Sequence, residues 1–372
     1  MREGLVMALR VAVVGAGYWG PNLVRNFRGS PDWDLVAVCD LDQARAEWVI
    51  GDRTTVDVET SLDALLARAD IDAVAVATPA DTHAAIALAA LEAGKHVLVE
   101  KPLASSRLDA QLMVDRAEEL GLVLMCDHTY CYTPPVQYLR SLIHSGELGD
   151  ILFVDSVRIN LGLVQPDVDV FWDLAPHDLS ILDFILPQGL SPLEVSAHGS
   201  DPIGAGQACL GYLTMPIGNR AIANIHVNWL SPTKIRHTVI GGSRKTVVWD
   251  DLNPQQRVSV YDRGVDLDLT SSSANAAEKR AVNVNYRLGD MHAPALPERE
   301  ALGQMVAEFA AAITEGRAPL TDGRAGLRVL AVLEAASESQ RRAGAMAPVD
   351  APGQPPRHTL RSLVGAGAGM HR

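Results

Sequence analysis

The chain has 372 residues, of which 48% are hydrophobic and 21% charged, a composition typical of globular proteins and a length that suggests two domains. The formal net charge of −13 disfavours nucleic acid and anionic membranes as partners, and no apolar run of about 18 residues predicts a membrane span. The four cysteines lack zinc-type spacing and the N-terminus lacks a hydrophobic signal core, so we expect no metal and a cytoplasmic location.

The first third of the chain alternates strands and helices. The predicted strands are short apolar runs, at Leu9–Val14, Leu35–Cys39, Val56–Glu59 (a weak edge strand), Ala73–Ala77, His96–Val99 and Leu122–Met125. Helical spacing and capping signals predict helices between them, at Pro21–Arg28, Leu41–Trp48, Leu62–Ala69, Thr82–Ala93 and Leu108–Leu120. Apolar, non-alternating strands separated by helices indicate a parallel sheet that is covered on both faces.

A glycine-rich turn stands between the first strand and the first helix. Gly15, Gly17 and Gly20 have the G-x-G-x-x-G spacing, which allows a tight turn and a close approach of the backbone to a pyrophosphate. Asp40 ends the second strand, where a carboxylate binds ribose hydroxyls and repels a 2′-phosphate, so NAD is favoured over NADP. Arg45 could still reach a 2′-phosphate, and a glycine turn beside an unrelated aspartate is the alternative. The pattern predicts an α/β Rossmann domain over residues 8–128.

A lysine stands at the end of the fifth predicted strand. Pro102 has no N–H to give to a strand ladder, so the strand stops before it and Lys101 lies at the carboxyl end, where open α/β sheets bind ligands. Lys101 is therefore a candidate catalytic residue. Thr78, Pro79 and His83 follow the fourth strand and could line the same crevice, but a plain turn before a solvated helix residue explains them equally well.

After residue 128 the pattern changes and strand-like runs dominate. Strands are predicted at Ile151–Asn160, Leu193–Gly199, Ala208–Met215, Ala221–Trp229, Lys234–Gly241 and Lys245–Trp249. Helices are predicted at Tyr138–Ser145, Arg299–Ile313 and Gly323–Arg341, an extended loop at Asp266–Asn285, and a flexible tail over residues 343–372. Turn signals between the strands indicate that residues 129–342 form an α+β domain with a large, mostly antiparallel open sheet.

One segment of the second domain contains a candidate proton acceptor. Asp173 and His177 are four residues apart, so one helical turn places them on the same side, and Pro176 suits a helix start. Histidine is a natural general base for a hydroxyl proton, and a carboxylate can fix its tautomer and orientation. Taken alone, such a pair is more commonly a helix cap beside a structural histidine.

Several of these features occur in the same order in one known family. The chain resembles the Gfo/Idh/MocA oxidoreductases, named for glucose–fructose oxidoreductase and inositol dehydrogenase, in GAGYWG at 15–20, Asp40, ATPADTH at 77–83, AGKHVLVEKP at 93–102, the HTY segment at 128–130 and WDLAPHD at 172–178. The resemblance covers residues 9–341, and EKP combined with D-x-x-x-H is its most specific part. Within the family, the chain looks most like the 3-dehydrogenases of UDP-N-acetylhexosamines and their uronates.

The resemblance implies a set of site residues. Catalytic roles would fall to Lys101, which would hydrogen-bond the reacting oxygen, and to Asp173 and His177. The implied cofactor-binding residues are Gly15, Gly17, Tyr18, Trp19, Gly20, Asp40, Thr78, Pro79, His83, Glu100, Lys101 and Trp172. The implied substrate-binding residues are Arg158, Asn160, His177, Lys234 and Arg236. The cations among them could bind a pyrophosphate or a carboxylate, although exposed strand charges are an equally ordinary explanation.

The resemblance also implies an activity. We expect an NAD-dependent oxidoreductase that acts on a secondary hydroxyl, at C3 of a nucleotide-linked sugar, or that reduces the corresponding keto sugar. One alternative is a redox-neutral enzyme that keeps NAD bound while it cleaves a glycoside, eliminates or epimerises. The other is a non-catalytic NAD-binding sensor. The expected partners are the sugar and further copies of the chain, as a homodimer or homotetramer, with no nucleic acid and no membrane.

Overall fold

The computed structural model describes residues 8–52, 55–165, 168–218, 220–268 and 283–350, and its first region is an α/β layer. Six strands form one sheet: β1 Leu9–Val14, β2 Trp33–Cys39, β3 Asp57–Glu59, β4 Ala73–Val76, β5 His96–Glu100 and β6 Leu124–Asp127. The helices of this region are α1 Gly20–Gly29, α2 Gln43–Ile50, α3 Leu62–Leu66, α4 His83–Glu92 and α5 Arg107–Leu120. The strand pairs are parallel, so the predicted Rossmann-type sheet is confirmed.

The strand order places a ligand crevice. The order is β3-β2-β1-β4-β5-β6, so β1 lies between β2 and β4 and the chain leaves it first on one side and then on the other. At such a reversal the loops diverge and leave a crevice beyond the carboxyl ends of the strands. The glycine turn follows β1, Thr78 follows β4 and Lys101 follows β5. Three adjacent strands therefore deliver candidate residues to one edge of the sheet.

The second region is an α+β layer. Its helices are α6 Pro134–His144, α7 Val170–Ile185, α8 Ala301–Glu315 and α9 Gly323–Arg341. Its strands are β7 Ile151–Leu161, β8 Glu194–Ser200, β9 Leu210–Ile217, β10 Ala221–Asn228, β11 Leu230–Gly242, β12 Thr246–Asp250, β13 Val258–Tyr261, β14 Gly264–Asp268, β15 Asn283–Arg287, β16 Met291–His292 and β17 Ala347–Pro348. Among the described helices of the whole chain, none is long and apolar enough to cross a bilayer.

A nine-stranded sheet dominates this region. Its order is β16-β13-β12-β11-β7-β10-β9-β8-β17, and its described strand pairs are antiparallel except for β7 with β10. This confirms the predicted mostly antiparallel open sheet. Helix α7 packs against β7, β9 and β10 and also against the short helical turn Thr129–Tyr132 that follows β6. Helix α7 therefore lies where the two regions meet.

Helix α7 begins earlier than the sequence predicted. Pro176 was expected near the helix start, but it lies inside the helix, which begins at Val170. Asp169 caps this end, because its Oδ1 accepts hydrogen bonds from the backbone N–H groups of Phe171 and Trp172, both at 3.0 Å. The Asp169 cap and the burial of the apolar face of the helix offset the backbone hydrogen bond that Pro176, which has no N–H, cannot make.

Two other predictions need correction. The expected loop Asp266–Asn285 begins and ends in paired strand, because β14 and β15 form a two-stranded sheet; residues 269–282 lie outside the described ranges. The tail predicted from residue 343 is ordered at its start, because β17 pairs with the edge strand β8 and buries Ala347 completely. Residues 351–372 and residues 1–7 lie outside the description.

The last two helices return to the first region. The indole Nε1 of Trp33, on β2, donates to the backbone oxygen of Val306 on α8 at 2.7 Å, and its ring stacks on Phe309 with centroids 5.2 Å apart. The backbone N–H of Cys126, on β6, donates to the oxygen of Thr321 just before α9 at 2.9 Å. Residues 301–341, predicted to belong to the second domain, thus also complete the core of the first.

Candidate active site

The glycine turn has the shape of a phosphate cradle. Gly15 has a φ of +99°, and a Cβ there would lie 2.6 Å from the backbone oxygen of Ala77, so no larger residue fits. A Cβ at Gly20 would collide with the backbone oxygen of Gly15, whereas one at Gly17 would meet only open space. The turn therefore packs tightly on the sheet at two glycines and leaves room at the third, directly before α1 begins. This arrangement fits a dinucleotide pyrophosphate.

Asp40 is held rigidly beside this turn. Its Oδ2 accepts a hydrogen bond from the backbone N–H of Ala16 at 2.7 Å, and its Oδ1 accepts one from Asp42 at 2.9 Å. Arg45 lies near the same turn, but its guanidinium is 3.8 Å from the Asp42 carboxylate. The carboxylate of Asp40 keeps lone pairs free for ribose hydroxyls, which agrees with NAD rather than NADP.

A cavity of about 360 Å³ joins the glycine turn to the end of β5. Of the cofactor-binding residues expected from the sequence, those that line it are Gly15, Gly17, Tyr18, Trp19, Asp40, Thr78, Pro79, Glu100 and Lys101. Three expected residues are absent from the lining: Gly20, His83 and Trp172. Gly20 begins α1, and the Trp172 indole donates to the Ser337 hydroxyl at 2.9 Å.

His83 is buried beneath the cavity. Only 1% of its surface is exposed, and its two ring nitrogens lie 2.9 Å from the backbone oxygens of Pro102 and Thr78. Burial lowers the pKa of this imidazole. His83 therefore connects the ends of β4 and β5 and supports the lining rather than forming it.

Lys101 reaches across from the first region to helix α7. Its Nζ donates to the backbone oxygen of Asp173 at 3.2 Å and lies 3.6 Å from the Oδ1 of the same residue. The other carboxylate oxygen of Asp173 accepts a hydrogen bond from the Trp229 indole at 2.9 Å. Asp173 therefore holds Lys101, and among the described contacts it makes no hydrogen bond to His177. The expected orientation of His177 by Asp173 is not found in this geometry.

His177 lies one helical turn after Asp173 and is kept neutral. Burial is the main cause that holds the pKa of this imidazole well below 6.5, and the nearby positive charges of Lys101, Arg158 and Arg236 add to it. The ring packs edge-on against Tyr130, with centroids 5.1 Å apart. A neutral imidazole near a lysine can accept a proton at ordinary pH.

The predicted substrate-binding cations differ in their exposure and in whether a carboxylate already pairs with them. Arg158 is buried, and its Nε and Nη2 donate to the Asp178 carboxylate at 2.7 and 3.2 Å, so its charge is already matched. Arg236 lies opposite Arg158 on β11 and has a looser carboxylate partner, Asp251, at 3.5 Å. Lys234 is exposed, and Asn160 is half-buried near the indole of Trp229.

Tyr130 was not among the predicted site residues, although the HTY segment was noted. Its ring touches His177 and lies below two guanidinium groups, those of Arg158 at 4.5 Å and Arg236 at 5.7 Å from its centroid. The signal that could have found it is its position, three residues beyond the carboxyl end of β6. Tyr130 therefore contacts His177 and both guanidinium groups.

Two family models match the chain, and together they span more than half of it. The model described as "Oxidoreductase family, NAD-binding Rossmann fold" matches residues 9–128. The model described as "GFO/IDH/MocA C-terminal domain" matches residues 136–248. The two matches coincide with the parallel sheet and with a large part of the second region.

Individual proteins are also similar. UDP-N-acetylglucosamine 3-dehydrogenase of Acidithiobacillus ferrooxidans is 29% identical over 326 residues, which cover 87% of this chain and 94% of that protein. Its solved structure superposes with a TM-score of 0.75 at 26% identity and covers 91% of this chain and 99% of that one. GenD2 from gentamicin A biosynthesis, solved in complex with NAD, has a TM-score of 0.74 at 25% identity and covers 93% and 97% of the two chains.

One further relative is named as a hydratase rather than as a dehydrogenase. The 2,7-anhydro-N-acetylneuraminate hydratase of Mediterraneibacter gnavus is 32% identical over 208 residues, 53% of this chain and 54% of its own length.

The expected NAD-dependent oxidoreductase is confirmed by the family models, and the glycine cradle and Asp40 agree with it. The chain belongs to the Gfo/Idh/MocA family of NAD-binding oxidoreductases.

Proposed function

We propose that this enzyme oxidises a secondary hydroxyl, at C3 of a nucleotide-linked sugar, or reduces the corresponding keto sugar. The observation that carries this proposal is the meeting of Lys101 and helix α7: the lysine Nζ lies 3.2 Å from the backbone oxygen of Asp173, one turn before a neutral His177. A positive charge and a free base next to a cofactor cavity suit the removal of a proton from an alcohol.

Each residue then has a defined task. His177 accepts the hydroxyl proton, and Lys101 stabilises the negative charge that develops on the oxygen. Asp173 holds Lys101 in place, and Trp229 in turn holds Asp173. NAD, when bound, supplies the hydride acceptor. In the opposite direction the same groups return the proton to the oxygen of a keto sugar.

The nucleotide-linked substrate rests on two observations. The relative from Acidithiobacillus ferrooxidans is named for a UDP-linked amino sugar and its C3, and its similarity covers most of both chains. On β11 of this chain, Lys234 is exposed, and Arg236 has a carboxylate, that of Asp251, at the long ion-pair distance of 3.5 Å. These two cations leave charge available for a phosphate or carboxylate on the substrate.

The test uses a panel of nucleotide sugars and free sugars with NAD, followed by NADH absorbance. We expect turnover with a nucleotide sugar and a primary isotope effect when deuterium is placed at its C3, with no such effect for deuterium at C2 or C4. Lys101→Met and His177→Asn should abolish most of the turnover, whereas Lys245→Met, at an exposed ion pair with Glu147, serves as the control. An isotope effect at another carbon would overturn the C3 assignment.

A redox-neutral reaction is the second candidate, and one observation favours it. The relative from Mediterraneibacter gnavus is named a hydratase, a name that denotes addition of water rather than net oxidation. The same base and lysine could serve a transient oxidation that is reversed within one cycle. Product release without accumulation of NADH would select this reaction. NAD binding without any turnover would instead select the sensor.

The expected homodimer or homotetramer and the cytoplasmic location stay proposals. Apolar side chains stand exposed on the large sheet, among them Leu161 at 75%, Tyr212 at 53% and Ile222 at 45%. A second copy of the chain could cover them. The described cysteines are all free thiols, which suits a reducing compartment. Sedimentation of the full chain would show a monomer if the oligomer proposal is wrong.

A further inference from the structure

Two carboxyl groups meet at the ends of β5 and β6. Glu100 and Asp127 are register partners on these parallel strands, and they are only 9% and 1% exposed. This register places the two buried side chains next to each other, and the charge of Asp127 contributes to a raised pKa of Glu100. Two carboxylates in contact inside a protein cannot both be ionised without a large electrostatic cost. One of the two must therefore carry a proton, or a cation must compensate them.

The hydrogen-bond partners show where the proton belongs. Asp127 accepts two hydrogen bonds, from the Trp19 indole at 3.2 Å and from the Thr129 hydroxyl at 2.5 Å, as an ionised carboxylate does. Glu100 Oε2 accepts the backbone N–H of Lys101 at 2.8 Å. Its other oxygen, Oε1, is buried and has no N–H or O–H partner among the residues that the structure describes. A proton on Oε1 would turn this orphaned atom into a donor to Asp127 and satisfy it.

The surroundings agree with a protonated Glu100. Burial is the largest cause that raises the pKa of this carboxyl well above its usual range, and Asp127 raises it further. Lys101 opposes these effects with its charge, but its Nζ points to Asp173, where it is 3.6 Å from the carboxylate. The lysine is therefore paired with Asp173 and offsets the charge of the acid pair only in part.

The pair lies at one end of the cofactor cavity. Glu100 lines that cavity, and Asp127 binds Trp19 of the glycine turn. Asp40, at the end of β2, marks the adenosine end, and the strand order places β5 on the other side of β1 and β4. The nicotinamide would therefore lie toward the pair. Its ring is positively charged in NAD⁺ and neutral in NADH.

We propose that Glu100 and Asp127 share a single proton and that Asp127 is a positioning residue for the cofactor side of the site. Through hydrogen bonds the pair ties the Trp19 turn, the backbone of Lys101 and the end of β6 together. It also places one negative charge, rather than two or none, beside the nicotinamide, and so favours binding of NAD⁺ over NADH. This second part rests on the proposed use of NAD as hydride acceptor.

Isosteric amide substitutions test how many negative charges the Glu100–Asp127 pair carries. Glu100→Gln donates an amide N–H to ionised Asp127, and Asp127→Asn donates one to ionised Glu100, so each single variant keeps one negative charge. The double variant has none. We expect the ratio of the Kd values for NADH and NAD⁺, measured by calorimetry, to stay within about threefold of the wild type in each single variant and to fall about tenfold in the double variant.

Other patterns of binding would overturn the proposal. Two ionised carboxylates would give a fall in the ratio at the first amide and a further fall at the second. Equal ratios in all four proteins would show that the pair has no electrostatic effect on the cofactor. Circular dichroism and thermal melting of each variant show whether it is folded before the comparison is made.

An infrared measurement tests the proton without any cofactor or substrate. At neutral pH the wild type should show the carbonyl band of a protonated carboxylic acid, and Glu100→Gln and Asp127→Asn should each lack it. Glu92→Gln, at an exposed carboxylate paired with Arg116, should leave the band unchanged. Absence of the band in the wild type would overturn the shared proton. Because this result does not depend on turnover, it separates failure of the acid pair from failure of the proposed sugar oxidation.

Discussion

Helix α7 supplies two acidic residues to two ion pairs that are built differently. Asp178 meets Arg158 at 2.7 Å, and the two side chains are 3% and 5% exposed. Asp173 meets Lys101 at 3.6 Å, and these side chains are 23% and 24% exposed. The first pair is short and buried, so its two charges neutralise each other inside the domain. The second is loose and accessible, so its lysine can turn toward a substrate oxygen. The short, buried pair thus has a structural role and the longer, more accessible pair a catalytic one, although the same helix carries both carboxylates.

Opening the closed pair should produce the largest effect on stability. Arg158→Met would leave the Asp178 carboxylate buried without its cation, so the free energy of unfolding should fall by about 3–5 kcal/mol. Denaturation in urea measures this change. The double variant Arg158→Met/Asp178→Leu removes both charges and should recover most of the loss. A single variant as stable as the wild type would show that the pair is not structural.

Removing the lysine of the loose pair should act on the rate instead. Lys101→Met should lower kcat by about 10²–10³-fold, because the charge on the reacting oxygen loses its stabilising cation. The free energy of unfolding should change by no more than about 1 kcal/mol, since partly exposed pairs contribute little. Steady-state kinetics and urea denaturation are compared with Lys245→Met. A large loss of stability in Lys101→Met would contradict the division between the two pairs.

A double-mutant cycle tests whether Asp173 acts on Lys101 or on His177. Asp173→Asn should lower kcat about tenfold in the wild type, through loss of the hold on Lys101. In a Lys101→Met background the same substitution should have little further effect, whereas in a His177→Asn background it should keep its effect. If the effect instead persists without Lys101 and disappears without His177, then Asp173 orients the histidine, as the sequence suggested.

The smallest effect concerns pH and stability. The pKa of His177 is lowered in the folded protein to well below 6.5, so the unfolded chain binds this proton more readily. Stability from this group is therefore complete above the unfolded pKa and is lost as pH falls below 6.5, until the folded pKa is reached. Urea denaturation across this range should give a flatter pH dependence for His177→Asn than for the wild type. Equal slopes would mean that His177 titrates normally.

Local patterns in the sequence predicted most of the fold. Strand β1 and helix α9 have the predicted bounds, because a continuous apolar run that ends at Gly15 defines the strand and helical spacing of apolar residues defines the helix. The start of α7 was wrong because the proline signal was given more weight than Asp169, whose capping bonds only the structure shows. The edge strand β17 has two residues, too few for any periodicity to reveal it.

The candidate site was predictable by residue type but not by partner. Lys101 follows the end of β5 and contacts helix α7, which carries Asp173 and His177, while their assignment to the site stays a prediction. The pairing of Arg158 with Asp178, of Asp173 with Lys101, and of Tyr130 with His177 joins segments that are far apart in the chain. Such contacts depend on the packing of α7 against the sheet, which no local pattern specifies.

The return of α8 and α9 to the first region has a consequence for synthesis of the protein. Trp33 is buried against Val306 and Phe309, residues that leave the ribosome more than two hundred and fifty positions after it. The apolar contacts of Trp33 with α8 therefore cannot form until residues 306–309 have been synthesised. We therefore expect the first region produced without α8 and α9 to aggregate more readily than the full chain.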